Sequence, residues 1–284
     1  MEKATIWMLT TRPKTLAVSI APITIGFFLA LPTGVFSFKI FLITLCTALL
    51  IQVGTNFAND YYDCLKGSDN RRRIGPKRGL HKGLISINQM RIATFAMFAT
   101  ALLFSTHLIW IGGWPILCFS LLAPIIGIGY TKGPYALCYI GLADPFVFLF
   151  FGPIGVMLTY YLQTGIWSET SFIAGLGPGL LSTAILAIAN IRDMEEDRLS
   201  CKQTIPVRFG KNTGLFEYAF CLIGAMIIPF LIGSPIASIL LVPSVILVTK
   251  AIKGEKSEDY VSLLPKTAAL LLAYTFLFSI GCFL

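Results

Sequence analysis

The feature that most constrains this chain is a series of nine apolar stretches, each close to the length that crosses a lipid bilayer. A spanning helix needs about 20 mainly apolar residues, because the hydrocarbon core is about 30 Å thick and each helical residue rises about 1.5 Å. A charged fraction of 13% and a mean hydropathy of +0.78 also lie outside the usual range of soluble domains. The sequence therefore predicts an all-α polytopic membrane protein whose nine transmembrane helices cover residues 15–33, 38–57, 92–110, 113–130, 137–161, 170–189, 213–232, 235–252 and 266–283.

The basic residues indicate how the chain is oriented. All of the 22 Lys and Arg residues except Lys39 lie before the first stretch, in every second loop or at the adjoining ends of the stretches. Loops rich in these residues stay in the cytoplasm, so we expect a cytoplasmic N-terminus and an external C-terminus. The basic residues behind the net charge of +8 then lie almost entirely on the cytoplasmic side, where they favour contact with anionic headgroups or an anionic substrate. No compact basic domain accompanies it, so nucleic acid binding is not indicated.

The segments between the stretches are too short to form a second domain. We therefore expect one transmembrane domain over residues 1–284, with cytoplasmic cap loops at about 58–91 and 190–212. The seven cysteines form no CxxC pair, and buried or free thiols are the expected state.

The first acidic cluster follows the second stretch, in the segment NFANDYYDCLKGSDN. If the helix continues past Thr55, then Asn56, Asp60 and Asp63 occupy positions i, i+4 and i+7 and share one helical face. Their oxygen atoms are then expected to converge.

The second acidic cluster follows the sixth stretch, in the segment AIANIRDMEEDRLSCKQT. Asn190, Asp193 and Asp197 occupy positions i, i+3 and i+7, again on one helical face. Both clusters follow even-numbered stretches, so they are expected on the same side of the membrane and at a similar depth. Four stretches separate them, a spacing that hints at an internal repeat of a four-helix unit.

Two interpretations of these acids are open. Either cluster alone fits a solvated helix end or a set of salt bridges to the basic loop SDNRRRIGPKRGLHKG. The same arrangement of acids occurs in both clusters, which favours neutralisation by a bound cation. Insertion of a carboxylate at the bilayer centre is unfavourable by about 2.5–3.5 kcal/mol of free energy. Magnesium binds one or two carboxylates together with phosphate oxygens, so two opposed clusters could hold a diphosphate through Mg²⁺. One or two bases of the loop are then expected to bind the diphosphate, from the set Arg71, Arg72, Arg73, Lys77, Arg78 and Lys82.

These segments, together with YTKGPYALCYIGLADPFVFLFFGPIGV and TIPVRFG, resemble the UbiA-type intramembrane aromatic prenyltransferases. Within that superfamily the chain most resembles the branch that acts on 1,4-dihydroxy-2-naphthoate. The resemblance implies a nine-helix bundle around a central cavity, capped by the two cytoplasmic loops. It also implies Mg²⁺-dependent transfer of a polyprenyl group from polyprenyl diphosphate to the naphthoate, with loss of CO₂, giving demethylmenaquinone. The implied metal ligands are Asn56, Asp60, Asp63, Asp193 and Asp197.

Further site residues follow from the same resemblance. Arg192 lies where the family has the arginine of an NNxRD pattern, and Lys132 follows the tyrosine of a YTxGP stretch. The first Asn of NNxRD is Ala189 here, so no role is expected at that position. The predicted substrate-binding set is Asn56, Asn190, Arg192, Lys132, Tyr130, Arg71 and Lys202.

Asp144, in IGLADPFVF, is the predicted catalytic base for the phenolic proton of the acceptor. An ionisable group inside a membrane span is a functional candidate. The alternatives are an N-cap for a helix that restarts at Pro145 and a hydrogen bond that serves packing.

Other functions remain open. The same fold could prenylate 4-hydroxybenzoate, homogentisate or a porphyrin, because acceptor choice depends on the shape of the cavity. A cation-coupled transporter is the rival from another class, but it predicts ion sites in broken helices near the bilayer midplane. We expect a multi-pass protein of a bacterial inner membrane, with the lipid bilayer and the two substrates as its partners and no obligate protein partner.

Overall fold

A computed structural model describes residues 3–67, 79–80, 83–133 and 135–283 of the chain. All regular elements in these residues are helical, as predicted. The α-helices are α1 Lys3–Thr10, α2 Ala17–Ala30, α3 Phe38–Leu65, α4 Ile87–Gly129, α5 Leu137–Ile140, α6 Ala143–Leu149, α7 Gly155–Thr164, α8 Glu169–Arg192, α9 Met194–Leu199, α10 Ile205–Phe209, α11 Lys211–Ala225, α12 Ile228–Leu231, α13 Leu241–Lys253, α14 Ser257–Val261 and α15 Leu263–Gly281. Short 3₁₀ turns cover Pro13–Thr15, Leu31–Thr33 and Pro235–Leu240, and a π-helical segment covers Phe150–Ile154.

Helix α4 is two antiparallel helices joined at Gly113. Gly113 has φ 66° and ψ −149°, a conformation that interrupts a helix and favours glycine. Phe98 packs against Gly54 while Thr55 packs against Gly127, so residues 98 and 127 lie at the same depth along α3. In a straight helix those two residues would be about 40 Å apart. The chain therefore reverses at Gly113, as expected for the stretches 92–110 and 113–130.

The predicted helix 137–161 is broken into several pieces. Gly141, with φ 75°, ends α5, and the chain departs from helical geometry again at Gly152, where φ is −127° and ψ is −113°. Pro153 follows at once and has no backbone N–H to continue the helical hydrogen bonds. The prediction of one continuous helix was therefore wrong, although α6, the π-helical segment and α7 together form one apolar run of 22 residues.

The described helices make this a multi-pass membrane protein. In the described residues, seven helical segments, some of which join consecutive elements, are long and apolar enough to cross a bilayer, or eight if the pair Ala4–Thr15 and Ala17–Thr33, bent by 54°, forms one span. The reversal at Gly113 divides α4 into two antiparallel halves. Large apolar side chains such as Phe95 and Ile125 are exposed, as expected of a surface that faces lipid. Trp110 and Trp114 flank the Gly113 turn and are also exposed, which is typical of the membrane–water interface.

Helix α8 lies at the centre of the bundle, packed against α2, α6, α11 and α15. Its GLGPG segment, residues 175–179, allows close helix contact because glycine has no side chain. A Cβ atom at Gly175 would lie 2.5 Å from Cα of Pro153, well inside van der Waals contact, and one at Gly177 would meet the Tyr274 ring. The second acidic cluster begins at the end of this closely packed helix.

The close packing at Gly175 leads to a prediction. Gly175→Ala should lower the free energy of unfolding by about 1–3 kcal/mol, because the contacting atoms belong to the backbone of Pro153 and cannot move aside. The matched control is Gly224→Ala in α11, where the nearest atom would lie at 3.4 Å. Unfolding by SDS, followed by circular dichroism, measures both variants. Equal stabilities in the two variants would contradict the packing described for α8.

Candidate active site

The first acidic cluster lies at the end of α3, which runs unbroken from Phe38 to Leu65. The prediction that the helix continues past Thr55 is thus confirmed. Asn56, Asp60 and Asp63 are all buried, with exposed fractions of 4%, 1% and 3%. Three polar side chains are therefore held on the inward face of a membrane helix, where each needs a polar or charged partner.

The second cluster straddles a helix junction. Helix α8 ends at Arg192, Asp193 has φ −94° and ψ 9°, and α9 begins at Met194. The prediction of one helical face over residues 190–197 was therefore wrong in detail. The turn is nevertheless close to helical, because the Asp197 N–H donates to the Asp193 carbonyl at 2.8 Å. Asn190 and Asp197 are buried, and Asp193 is partly buried.

The two clusters face each other across the amine of Lys202. The Lys202 Nζ atom lies 3.7 Å from Asp63 Oδ2 and 3.8 Å from Asp197 Oδ1. One ammonium group thus compensates a carboxylate from α3 and a carboxylate from α9. Residues 63 and 197 are far apart in sequence, and the fold brings them to one shared site.

Arg12 compensates the most deeply buried acid. Its guanidinium donates a hydrogen bond to Asp60 Oδ1, and the Asn56 amide donates to the Thr11 carbonyl at 2.9 Å. Sequence reasoning missed Arg12, which lies in the turn before α2. The available signal was a base beside Pro13 directly ahead of the first apolar stretch.

Arg192 is buried and pairs with its neighbour Asp193. Its Nε and its NH2 nitrogen donate to the two oxygens of the Asp193 carboxylate, both at 2.6 Å. A bidentate pair of this kind has a fixed orientation. The predicted diphosphate ligand is therefore already positioned at the end of α8.

The segment after α4 closes the site against the end of α3. Thr131 donates to Asn59 Oδ1 at 2.8 Å, and Lys66 donates to the Thr131 carbonyl at 2.7 Å. The Lys66 amine also lies 3.9 Å from the centre of the Tyr139 ring, a cation–π contact. Sequence reasoning missed Asn59 and Lys66, because nothing in the local pattern separates them from surface residues.

The predicted residue Lys132 lies beside this contact, with its amine 5.5 Å from the centre of the Tyr62 ring. The predicted residue Tyr130 lines a cavity that adjoins the clusters. The predicted ligand Arg71, with Asp69, Arg72, Arg73, Lys77, Arg78 and Lys82, lies outside the described residues.

An apolar cavity extends from the end of α3 near the first acidic cluster towards the Gly113 turn. Thr55 and Tyr130 line the end beside Asn56 and Thr131, while Leu108 and Ile116 line the end near the Gly113 turn. Its walls are mainly apolar and come from α2, α3, both halves of α4, and the run from α6 to α7. The aromatic side chains on the wall are Phe119, Tyr130, Phe146, Phe150 and Phe151.

Asp144 lies beside Glu217 of α11. It is 5% exposed, and its carboxyl group lies close to that of Glu217. Among the described residues, those that line the cavity do not include Asp144. The N-cap alternative was wrong, because α6 begins at Ala143 and Leu142 is its N-cap. The role of Asp144 as a base stays a prediction.

The donor atoms of the two clusters fit a magnesium ion. Their carboxylate and amide oxygens are hard ligands of the kind that Mg²⁺ prefers. In the described part of the chain, no three or more His, Cys, Asp or Glu side chains are grouped as a complete metal site. Magnesium does not need such a group, because it typically takes one or two carboxylates and completes its shell with phosphate oxygens and water.

The sequence matches a known protein family. The sequence model of the UbiA prenyltransferase family matches residues 19–262. A 1,4-dihydroxy-2-naphthoate octaprenyltransferase of Haemophilus influenzae is 40% identical over 222 residues, which are 75% of this chain and 72% of that protein. The protein of the same name from Escherichia coli is 37% identical over 235 residues, 78% of this chain and 74% of that protein.

A solved structure shows the same fold. A UbiA homologue from Archaeoglobus fulgidus bound to GPP and Mg²⁺ has a TM-score of 0.64 and 19% identity, over 98% of this chain and 100% of that one. The family match covers most of the chain and includes both acidic clusters. This chain therefore belongs to the UbiA prenyltransferase family.

Proposed function

We propose that this protein transfers a polyprenyl group from polyprenyl diphosphate to 1,4-dihydroxy-2-naphthoate, with Mg²⁺ as cofactor and loss of CO₂. The observation that carries the proposal is the pairing of Asp63 and Asp197 with one amine, and an apolar cavity lined by Thr55 and Tyr130 nearby supports it. The choice of acceptor is supported by the names of relatives that are 40% and 37% identical. No oxidant takes part, so the product leaves as the quinol form of demethylmenaquinone, an intermediate of menaquinone biosynthesis.

The acidic clusters would bind the diphosphate end of the donor. We assign Mg²⁺ binding to Asp60, Asp63, Asp193, Asp197 and Asn56. The chemistry that Mg²⁺ supplies when bound is stabilisation of negative charge on the diphosphate oxygens. The Asn56 amide nitrogen donates to the Thr11 carbonyl, which orients its amide oxygen as the atom suited to a cation. Asn190 is a buried member of the second cluster and Lys132 lies in the segment after α4, and we retain both as substrate ligands.

Fixed cations in the site would favour departure of the diphosphate. Lys202 and Arg192 are held by Asp63, Asp197 and Asp193, so their charges are in place before the substrate arrives. Preorganised charge stabilises the developing negative charge without further rearrangement. Departure of the diphosphate leaves an allylic cation, which the ring carbon bearing the acceptor carboxylate attacks.

The cavity would protect that cation. Its apolar walls keep out water, which would otherwise react with the cation before the acceptor does. Tyr130, Phe150 and Phe151 present aromatic side chains to the cavity, and aromatic faces attract cations. Phe148, in contrast, packs against Gly179. We therefore assign a cation-stabilising role to Tyr130, at the end of the cavity nearest the acids.

We further propose one domain over residues 1–284 that crosses a bacterial inner membrane nine times, with the N-terminus in the cytoplasm. The charge asymmetry of the sequence and the reversal at Gly113 support this topology. The diphosphate site then opens to the cytoplasm, where charged substrates are available.

The acidic residues provide the first test of the reaction. Asp60→Asn and Asp193→Asn should each lower Mg²⁺-dependent diphosphate release by about 100-fold or more, because stabilisation of the leaving group is lost. The matched control is Glu195→Gln on α9, an acid with 71% exposure that should leave the rate unchanged. Activity retained in both aspartate variants would exclude the proposed mechanism.

Lys202 provides a second test. Lys202→Gln should raise the KM for polyprenyl diphosphate by about tenfold, because the site loses a cation that faces both clusters. Arg198→Gln removes a charge from α9, four residues before Lys202, but the Arg198 side chain is 54% exposed, so the KM of this variant should not change. Initial rates at varied donor concentration separate the two. An unchanged KM in Lys202→Gln would remove this residue from the substrate site.

The acceptor can be identified directly. Membranes that contain the protein should convert 1,4-dihydroxy-2-naphthoate and a polyprenyl diphosphate into a prenylated product that has lost CO₂, measured by mass spectrometry. Parallel reactions with 4-hydroxybenzoate and homogentisate should give no product above that of membranes carrying Asp60→Asn. Turnover of either alternative in preference to the naphthoate would overturn the choice of acceptor.

A further inference from the structure

Arg12 occupies an unusual backbone conformation next to the most deeply buried acid of the site. Its φ of 55° lies in the left-handed region, and in the described residues only Cys201 shares this feature among residues other than glycine. A side chain in this region is unfavourable by about 1–2 kcal/mol. Such local strain persists only where surrounding contacts hold it, and it is concentrated at functional sites.

Those contacts come from Asn56 of the first acidic cluster and from Thr15 of the same turn. The Asn56 amide donates to the carbonyl of Thr11, the residue before Arg12, at 2.9 Å. The backbone N–H and the hydroxyl of Thr15 both donate to the Arg12 carbonyl at 2.9 Å. The turn is thereby fixed at both ends, and the guanidinium is directed onto Asp60.

The pairing of Arg12 with Asp60 creates a competition for one carboxylate. Asp60 is 1% exposed, so its charge needs a cation in the absence of metal, and Arg12 supplies it. When Asp60 binds a metal, the metal and the guanidinium compete for the same carboxylate, which favours a shift of Arg12 towards other anions. The Arg12 side chain is 28% exposed, so it can reach a ligand that enters from outside the bundle. Guanidinium groups bind phosphate oxygens in a bidentate manner.

We propose that Arg12 is a further substrate-binding residue that holds Asp60 before metal binding and then transfers to the diphosphate of the donor. This inference rests on the proposed function. It predicts opposite effects on two ligands when the guanidinium is removed. The metal alone should bind more tightly, because a competitor is gone, whereas the diphosphate should bind more weakly, because a ligand is gone.

The best variant for the test is Arg12→Gly. Glycine adopts positive φ without strain, so the turn keeps its conformation while the guanidinium is removed. Arg12→Lys keeps the charge but not the bidentate geometry. Lys14→Gln is the matched control, because it removes an exposed positive charge two residues further along the same turn.

The experiment uses the full chain in detergent and two probes. Binding of Mn²⁺ alone, as a substitute for Mg²⁺, is followed by electron paramagnetic resonance of the free ion. Binding of inorganic diphosphate in the presence of Mg²⁺ is measured by calorimetry. Arg12→Gly should bind Mn²⁺ several-fold more tightly and diphosphate about tenfold more weakly than the unmodified protein. Arg12→Lys should lie between the two, and Lys14→Gln should match the unmodified protein.

Each other outcome overturns the inference. Unchanged binding of both probes in Arg12→Gly would show that Arg12 contacts neither ligand. Parallel loss of both would show that Arg12 only maintains the structure of the turn. If Arg12→Gly gives one of these two outcomes while the unmodified protein binds diphosphate with Mg²⁺, the inference fails and the proposed function stands. If the unmodified protein binds neither probe, the proposed function fails as well.

Discussion

The structure depends on the compensation of buried negative charge at one end of an apolar bundle. Asp60, Asp63 and Asp197 are nearly inaccessible, and isolated carboxylates at such positions would be strongly unfavourable. Arg12 pairs with Asp60, and Lys202 lies between Asp63 and Asp197. These pairs connect the N-terminal segment, α3 and the loop after α9 into one site. Carboxylates that are paired with basic side chains can exchange those partners for Mg²⁺, as the binding of a metal diphosphate requires.

The surrounding helices keep this site in place. Helix α8 is packed through Gly175 and Gly179 against the backbone of residues 152 and 153, so its last residues have little freedom to move. The same π-helical break supplies Phe150 and Phe151 to the cavity wall. The π-helical segment Phe150–Ile154 thus has two structural roles. It fixes the second acidic cluster, and it shapes the apolar space that would receive the prenyl chain.

Much of this arrangement could be predicted from the sequence, for physical reasons. Helical periodicity placed Asn56, Asp60 and Asp63 on one face, and the apolar stretches located the helices, since both are local properties of the chain. The helix end at Arg192 and the breaks at Gly141 and Gly152 depend on packing and were missed. Arg12 and Glu217 were also missed as partners of Asp60 and Asp144, because pairing across many residues is decided by the tertiary fold. From the sequence, we expected residues of the basic loop to be cationic partners in the site. In the described residues, Arg12, Arg192 and Lys202 pair with the acids.

The measurement that most directly tests the central claim is cross-linking between the two clusters in native membranes. The seven cysteines are first replaced by serine, and Asp63→Cys is combined with Asp197→Cys. The shortest bis-methanethiosulfonate reagent should join these positions within one chain. Asp63→Cys combined with Leu199→Cys should remain unlinked, because Leu199 is exposed and lies on the other side of α9. Failure to link positions 63 and 197, or equal linking in both pairs, would show that the clusters do not share one site.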